Sequence, residues 1–129
     1  MFVTTTLRVE QATRAASLVA DDLERTLARR PAIIVSLSAD DEICVAVEGG
    51  YGETFVHPGA LDDAIDTIVA IADHVQSELA DGRDSWFVWP LCADHAVAPH
   101  AEVHDGRAVW WCRVGRHSLG TVGQLQPTQ

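Results

Sequence analysis

The sequence predicts an α+β fold, in which two amphipathic helices and a β-hairpin sheet are followed by a second, C-terminal β-hairpin. Three observations predict this class. Apolar residues recur at helical spacing in two segments, residues 10–30 and 60–79. Runs rich in branched residues at 32–38 and 42–48 are separated by a short polar connection, which is typical of a hairpin. Farther along, an Asp-Gly turn at 105–106 lies between two extended runs.

The first helix is predicted over residues 10–30. Arg29 and Arg30 suit the negative C-terminal end of a helix dipole, and Pro31 ends the helix. The preceding segment, FVTTTLRV, is either a short strand or the entry to this helix, and the sequence leaves that choice open. The apolar face consists of residues three and four positions apart: Ala12, Ala16, Val19, Leu23 and Leu27.

The first hairpin is followed by a predicted loop at 49–59, where glycines and Pro58 interrupt regular structure. The second helix follows, with Asp62 and Asp63 in its first turn. Its apolar stripe could pack on the first helix or the hairpin sheet, or it could form a homodimer seam through the 61–79 helix. The stripe consists of Leu61, Ile65, Ile68, Ala72, Val75 and Leu79.

Charge is distributed unevenly along the 129-residue chain, whose net charge is −10. Residues 1–85 contain sixteen acids and six arginines, whereas residues 86–129 contain three acids and three arginines. The length suits one domain of ordinary size. We therefore predict an acidic α+β core over 1–85, with the near-neutral segment 86–129 packed on it in a single compact unit.

The composition argues against two classes of protein. An acidic chain lacks the positive field that nonspecific binding to nucleic acid or an anionic membrane requires. The longest wholly apolar run, 68–72, is far shorter than the ~20 residues of a membrane span. The N-terminal sequence lacks the basic and apolar regions of a signal peptide, so we expect a cytoplasmic protein.

Two Cys/His pairs form the most informative pattern. Cys92-x2-His95 is followed, after sixteen residues, by Cys112-x4-His117. Structural zinc takes four thiolate or imidazole ligands in a tetrahedron, and each short spacing lets one tight turn present two of them. Because the predicted hairpin brings the two pairs together, we predict a structural zinc site formed by these four residues. His100 is a substitute candidate for the fourth ligand.

Residues 89–123 resemble a zinc ribbon, with a two-ligand turn, a hairpin, a second two-ligand turn and a final strand. The chain departs from the usual ribbon because each turn carries one cysteine and one histidine, where ribbons carry C-x2-C. The region is also similar to uncharacterised small proteins of GC-rich bacteria, and this resemblance implies no activity. The shared motifs are W-P-x-C-x-x-H at 89–95, Asp-Gly at 105–106, W-x-C at 110–112 and G-x-L at 123–125.

The cysteines allow two other interpretations. Free cysteine is among the most frequently buried residue types, so Cys92 and Cys112 could pack beside tryptophans without a metal. A catalytic metal site would instead need an open coordination position and a general base, for which Asp94 or His100 could be proposed. The third cysteine makes the count odd, so the pattern does not indicate a disulfide framework.

The leading functional interpretation is a non-enzymatic binding or adaptor domain with a structural zinc site, acting through protein-protein contacts. The first alternative is a nucleic-acid-binding zinc-ribbon protein that uses the exposed member of the Trp110-Trp111 pair beside Arg107 and Arg113, since tryptophan and arginine can stack on bases. The second is a small metal-dependent hydrolase. The sequence does not favour an enzyme, because no catalytic constellation can be identified in it.

Overall fold

The computed structural model describes residues 4–27, 31–50, 54–81 and 88–127. It has two α-helices and two three-stranded antiparallel sheets, which confirms the α+β class. Neither helix in these ranges is long and apolar enough to cross a membrane. In chain order the elements are α1 (Thr5–Thr26), β1 (Ile33–Leu37), β2 (Ile43–Val47), β3 (Thr54–Phe55), a 3-10 turn (Pro58–Leu61), α2 (Ala64–Asp81), β4 (His100–His104), β5 (Arg107–Cys112) and β6 (His117–Thr121).

The first helix begins earlier and ends earlier than residues 10–30. Thr4 is its N-cap, and the Thr4 hydroxyl accepts a hydrogen bond from the Leu7 N–H at 3.1 Å, so the threonine-rich segment is the helix entry. The helix ends at Thr26 because Leu27 adopts extended backbone with a φ of −121°. The predicted basic end at Arg29 and Arg30 lies outside the described residues.

The first sheet has the order β1-β2-β3, and β1 pairs with β2 as the predicted hairpin. Ile43, Val45 and Val47 are buried on its inner face, as their alternation predicts. The prediction of a continuous loop at 49–59 is wrong, since β3 pairs with β2 inside it. β3 has two residues, both exposed, so it has no alternating apolar pattern that sequence reasoning could detect.

The second helix begins at Ala64, after the 3-10 turn, and the prediction that Asp62 and Asp63 lie in its first turn is wrong. The Asp63 carboxylate accepts a hydrogen bond from the Asp66 N–H at 3.1 Å, and this capping contact places Asp63 before the helix. The Asp62 carboxylate instead accepts hydrogen bonds from Arg8 of α1 at 2.6 and 2.8 Å.

The apolar stripe of the second helix packs inside the chain. Ala72 and Val75 of the stripe are fully buried, as is the neighbouring Ile71, and α2 contacts α1, β2, β4 and β5. Ile65 and Ile68 are partly buried against the same core. The stripe therefore holds the two sheets and α1 together, whereas the homodimer seam along 61–79 stays a prediction.

The second sheet has the order β4-β5-β6. The predicted turn joins β4 to β5, with Asp105 at a φ of 52° and Gly106 at a φ of 75°. Two consecutive positive φ angles indicate a type I′ turn, whose twist matches that of antiparallel strands. The predicted final strand is present over His117–Thr121.

A buried carboxylate joins the first helix to the second sheet. Asp22 is 0% exposed, and its oxygens accept hydrogen bonds from the Trp110 indole N–H at 2.9 Å and from the Gly123 and Leu125 backbone N–H groups at 2.8 Å. The Arg25 guanidinium lies 3.6 Å from the same carboxylate. A buried charge is tolerated when it is hydrogen-bonded and paired in this way, so Asp22 anchors the C-terminal segment on α1.

The tryptophans complete this junction between α1 and the C-terminal segment. Trp89 packs edge-on against Trp110, with ring centroids 5.4 Å apart, and its indole N–H donates to the Thr26 hydroxyl at 2.9 Å. Residues 88–127 thus pack directly on α1 and α2. The predicted division at 85/86 lies outside the described residues and stays a prediction.

Candidate metal centre

The first half of the candidate site is a tight turn after Trp89 and Pro90. The Cys92 N–H donates to the Val97 carbonyl at 2.8 Å, and the Cys92 carbonyl accepts from the Ala96 N–H at 2.7 Å. Ala96 has a φ of 54°, which reverses the chain immediately after His95. The turn therefore presents Cys92 and His95 on the same side, as the x2 spacing predicts.

The second half lies at the junction of β5 and β6. Cys112 and His117 are cross-strand partners, and the turn between them includes Arg116 at a φ of 54°. The Gly115 N–H donates to the Cys112 sulfur at 3.3 Å. Backbone N–H groups directed at cysteine sulfur stabilise the thiolate, which is the form that binds metals.

The four side chains converge. Cys92 Sγ lies 3.3 Å from His95 Nδ1 and 3.5 Å from His117 Nε2, and Cys112 Sγ lies 3.6 Å from His95 Nδ1. All four ligand atoms lie within 4.8 Å of one another. A tetrahedral zinc ion with bonds of about 2.3 Å to sulfur and 2.0–2.1 Å to nitrogen separates a sulfur from a nitrogen by about 3.6 Å. The observed spacings therefore fit the first coordination shell of one metal ion.

Burial divides the group into an inner pair and an outer pair. Cys92 and Cys112 are 2% and 0% exposed, whereas His95 is exposed and His117 half-buried. His95 Nδ1 is within reach of both sulfurs, and His117 Nε2 is within reach of the Cys92 sulfur. Two sulfurs and two imidazole nitrogens within 4.8 Å of one another fit a metal with affinity for thiolate and imidazole.

Four other residues with polar or sulfur side chains are not part of the four-residue group. His100 is in β4, opposite Trp111, and is not part of the group. His104 hydrogen-bonds Glu102 at 3.1 Å and stacks on Trp111 with ring centroids 3.9 Å apart. Cys44 is buried in β2 of the first sheet. Asp94, considered as a general base, is exposed in the Cys92–His95 turn.

A family-model scan and searches of curated proteins and solved structures found no match to this chain. The function must therefore be inferred from the site itself.

Gly115 is a residue of the site that the sequence analysis did not identify. A Cβ atom at this position would lie 2.7 Å from His117 Cδ2 and 2.7 Å from His95 Nε2, and it would also overlap His95 Cε1. Real Cβ atoms essentially never approach so closely, so the two imidazoles need a glycine between them. The signal available in sequence was a lone glycine inside the C-x4-H spacing.

We expect Gly115→Ala to weaken metal binding at least about tenfold, because the added methyl group must displace one or both imidazoles from their positions. Competition with a chromophoric chelator measures this affinity. Val114→Ala, at an exposed position next to Gly115, is the matched control and should leave the affinity unchanged. Equal affinity in the two variants would show that the imidazoles do not occupy these positions when metal is bound.

An ion-pair cluster of Glu102, His104 and Arg113 lies on the second sheet. The Arg113 guanidinium, hydrogen-bonded to Glu102 at 2.6 Å, holds the pKa of that carboxyl below its ordinary value of 4.5, and the His104 imidazole acts in the same direction. A carboxyl whose pKa is lowered by folding stabilises the fold above its unfolded pKa. That contribution is lost as the pH falls through the folded pKa.

We therefore expect Arg113→Gln to raise the pKa of Glu102 toward its ordinary value and so to reduce this acid-sensitive contribution to stability. NMR titration of the Glu102 side-chain carboxyl measures the change directly. Arg107→Gln removes an exposed arginine of the same sheet and should leave the pKa of Glu102 unchanged. An unchanged Glu102 titration in Arg113→Gln would mean that the ion pair does not form in solution.

Proposed function

We propose that this chain is a non-enzymatic binding or adaptor domain whose C-terminal sheet is held by a structural zinc ion. The observation that carries the proposal is the convergence of two sulfurs and two imidazole nitrogens within 4.8 Å of one another. Four protein ligands of this kind are typical of structural zinc sites, whereas catalytic sites keep one position for water or substrate. A cytoplasmic location belongs to the same proposal.

The surroundings of the site support action through protein contacts. Exposed apolar side chains lie at the two turns of the site and beside it: Leu91 at 47%, Val114 at 64% and Val88 at 55% exposure. Val88 and Leu91 also line a groove that is bordered by Cys92 and His117 and has Trp89 and Leu119 among its apolar lining residues. Apolar surface held in place by a rigid metal site is a suitable contact surface for another protein.

The two alternatives have weaker support. Arg113 is already hydrogen-bonded to Glu102, and Trp111 is stacked by His104, so this surface is less available to a base or phosphate than the sequence predicted. Binding to DNA or RNA that falls steeply with added salt would nevertheless favour the nucleic-acid alternative. A hydrolase would require one of the four ligands to be replaced by water, and the complete Cys2His2 set argues against this.

Metal content of the purified protein tests the zinc proposal. We expect about one zinc ion per chain, with loss of metal in His95→Ala and in His117→Ala. His100→Ala is the matched control because it removes a histidine of the same sheet that lies outside the group. A wild-type protein without metal, or metal retained in His117→Ala but lost in His100→Ala, would contradict the proposed ligand set.

A further inference from the structure

The two sulfurs of the site have different hydrogen-bond partners. The Cys112 sulfur accepts a hydrogen bond from the Gly115 N–H at 3.3 Å. Among the described residues, the hydrogen-bond contacts of the Cys92 sulfur are with imidazole nitrogens, those of His95 at 3.3 Å and His117 at 3.5 Å. A backbone N–H directed at a thiolate stabilises its negative charge and so makes the sulfur a weaker nucleophile. Cys92 is therefore the more nucleophilic sulfur of the pair.

Cys92 lies in a turn at the surface of the protein. Its sequence neighbours Leu91, Ala93 and Asp94 are exposed. His95 is exposed as well, and its Nδ1 atom lies 3.3 Å from the Cys92 sulfur. Although Cys92 itself is 2% exposed, its sulfur is therefore separated from solvent on this side by one imidazole ring. A molecule as small as hydrogen peroxide can reach the sulfur when that ring turns outward, and accessibility to the oxidant governs which cysteines are oxidised.

A second sulfur lies within reach of the first. The sulfur atoms of Cys92 and Cys112 are within 4.8 Å of each other. A disulfide joins sulfurs about 2.0 Å apart, so the two atoms need to approach by less than about 3 Å. Cysteines that respond to oxidants are often placed beside a resolving cysteine in this way. The third cysteine, Cys44, lies in β2 of the first sheet and is not part of the group.

We propose that Cys92 is an oxidation site, at which hydrogen peroxide converts Cys92 and Cys112 into a reversible disulfide and displaces the metal. The proposal rests on the proposed zinc site, because metal ligation keeps both cysteines as thiolates. A thiolate, and not a thiol, is the form that reacts with peroxide.

The reaction takes place in two balanced steps. The Cys92 thiolate attacks one peroxide oxygen, so that an S–O bond forms, the O–O bond breaks, and the departing hydroxide takes up a proton to become water. The Cys112 thiolate then attacks the resulting sulfenic acid, so that the S–S bond forms, the S–O bond breaks, and a second hydroxide leaves and is protonated to water. Overall, each sulfur loses one electron and one peroxide molecule is reduced to two water molecules.

The disulfide changes what the site can hold. It withdraws both thiolates from the donor set and leaves two imidazoles, which are half of the ligands that a structural zinc ion takes. The Cys92 turn stays linked to the end of β5, but His95 and His117 are no longer fixed by a common ion. Oxidation therefore loosens the two turns that position Leu91 and Val114, the exposed apolar side chains of the proposed contact surface.

Peroxide treatment of the purified zinc protein, followed by peptide mass mapping without reduction, tests the disulfide, and a chromophoric chelator measures the zinc released. We expect a Cys92–Cys112 disulfide, one zinc ion released for each disulfide formed, and reduced Cys44. A dithiol reductant with added zinc should restore the metal-bound protein, as expected for a disulfide but not for sulfinic acid. Cys44→Ser is the matched control and should respond to peroxide as the wild type does.

The outcomes separate this proposal from that of the zinc site. Retention of both thiols and of zinc, or a disulfide that includes Cys44, would overturn the oxidation site and leave the structural zinc site in place. Metal content is measured before treatment, and its absence would contradict the zinc site. The peptide map of the same sample would still decide whether Cys92 and Cys112 pair.

Limited alkylation with iodoacetamide tests which sulfur reacts first. At low extents of modification we expect Cys92 to be alkylated at least about tenfold faster than Cys112, because the Cys112 sulfur retains its hydrogen bond from Gly115. Mass mapping of the peptides that contain the two cysteines gives both rates from one sample of the wild-type protein. Equal rates, or faster alkylation of Cys112, would overturn the assignment of Cys92 as the oxidation site.

Discussion

Cys112→Ser is expected to abolish metal binding and to lower the free energy of unfolding by at least about 3 kcal/mol. Structural zinc ions contribute roughly 10–16 kcal/mol of apparent binding free energy in small zinc domains, and much of this is folding free energy. Cys112 is fully buried at the end of β5, and its sulfur also accepts the Gly115 N–H. Its loss would therefore release both turns of the site, with the strand ends next to them.

Urea unfolding and hydrogen exchange, each with and without a chelator, measure this effect. In the wild type, the chelator should reproduce the loss of stability, and the amides of β5 and β6 should lose protection before those of β1 and β2. Cys44→Ser is the matched control, since Cys44 is equally buried but lies in the first sheet. It should keep its metal whatever its stability. If the chelator lowered the free energy of unfolding of Cys112→Ser by as much as that of the wild type, a structural metal held by Cys112 would be ruled out.

Asp22→Ala is expected to lower the free energy of unfolding by about 3–5 kcal/mol, because it removes the carboxylate that pairs three buried donors and a guanidinium. Trp110, Gly123 and Leu125 would each retain a buried N–H without a partner, and such groups cost about 1–3 kcal/mol apiece. A domain of this kind has roughly 5–15 kcal/mol of total stability, so the variant would be near the limit of folding.

Urea unfolding followed by tryptophan fluorescence measures this loss, since Trp110 reports directly on the junction. Asp21→Ala is the matched control, because the adjacent aspartate is exposed, and it should change stability by no more than about 0.5 kcal/mol. The free energy of unfolding of Asp22→Asn should lie between those of the two alanine variants, since an amide oxygen can accept hydrogen bonds from some of the three donors. Equal stability of Asp21→Ala and Asp22→Ala would refute the anchoring role of Asp22.

The helices and the hairpins could be predicted because their signals are local. In α2, apolar residues recur every three or four positions, and in β2 they occur at every second position. Each pattern continues long enough to specify one face of its element. The Asp105-Gly106 turn was predictable because few residue pairs suit two positive φ angles. Helix ends were less predictable, since Thr4 and Asp63 act through single capping contacts that sequence alone does not distinguish from ordinary polar residues.

The ligand pairs were recognisable because each lies within one short turn, but the sequence could not choose between His117 and His100. That choice depends on strand register, which places Cys112 opposite His117 and Trp111 opposite His100. Asp22 was missed for a different reason. In sequence it is one of two consecutive aspartates on a helix, and its burial follows from partners far along the chain.

The separation between Asp22 and its partners has a consequence for synthesis. The three N–H groups that it binds lie 88, 101 and 103 positions later in the chain. While the ribosome extends the polypeptide, α1 can form with Arg25 beside the Asp22 carboxylate, but the three N–H partners of that carboxylate are complete only when residue 125 has emerged. Non-local contacts of this range slow folding, because the intervening chain must be closed into a loop first. During translation α1 therefore presents a solvated acidic face, and its final packing follows the synthesis of the second sheet.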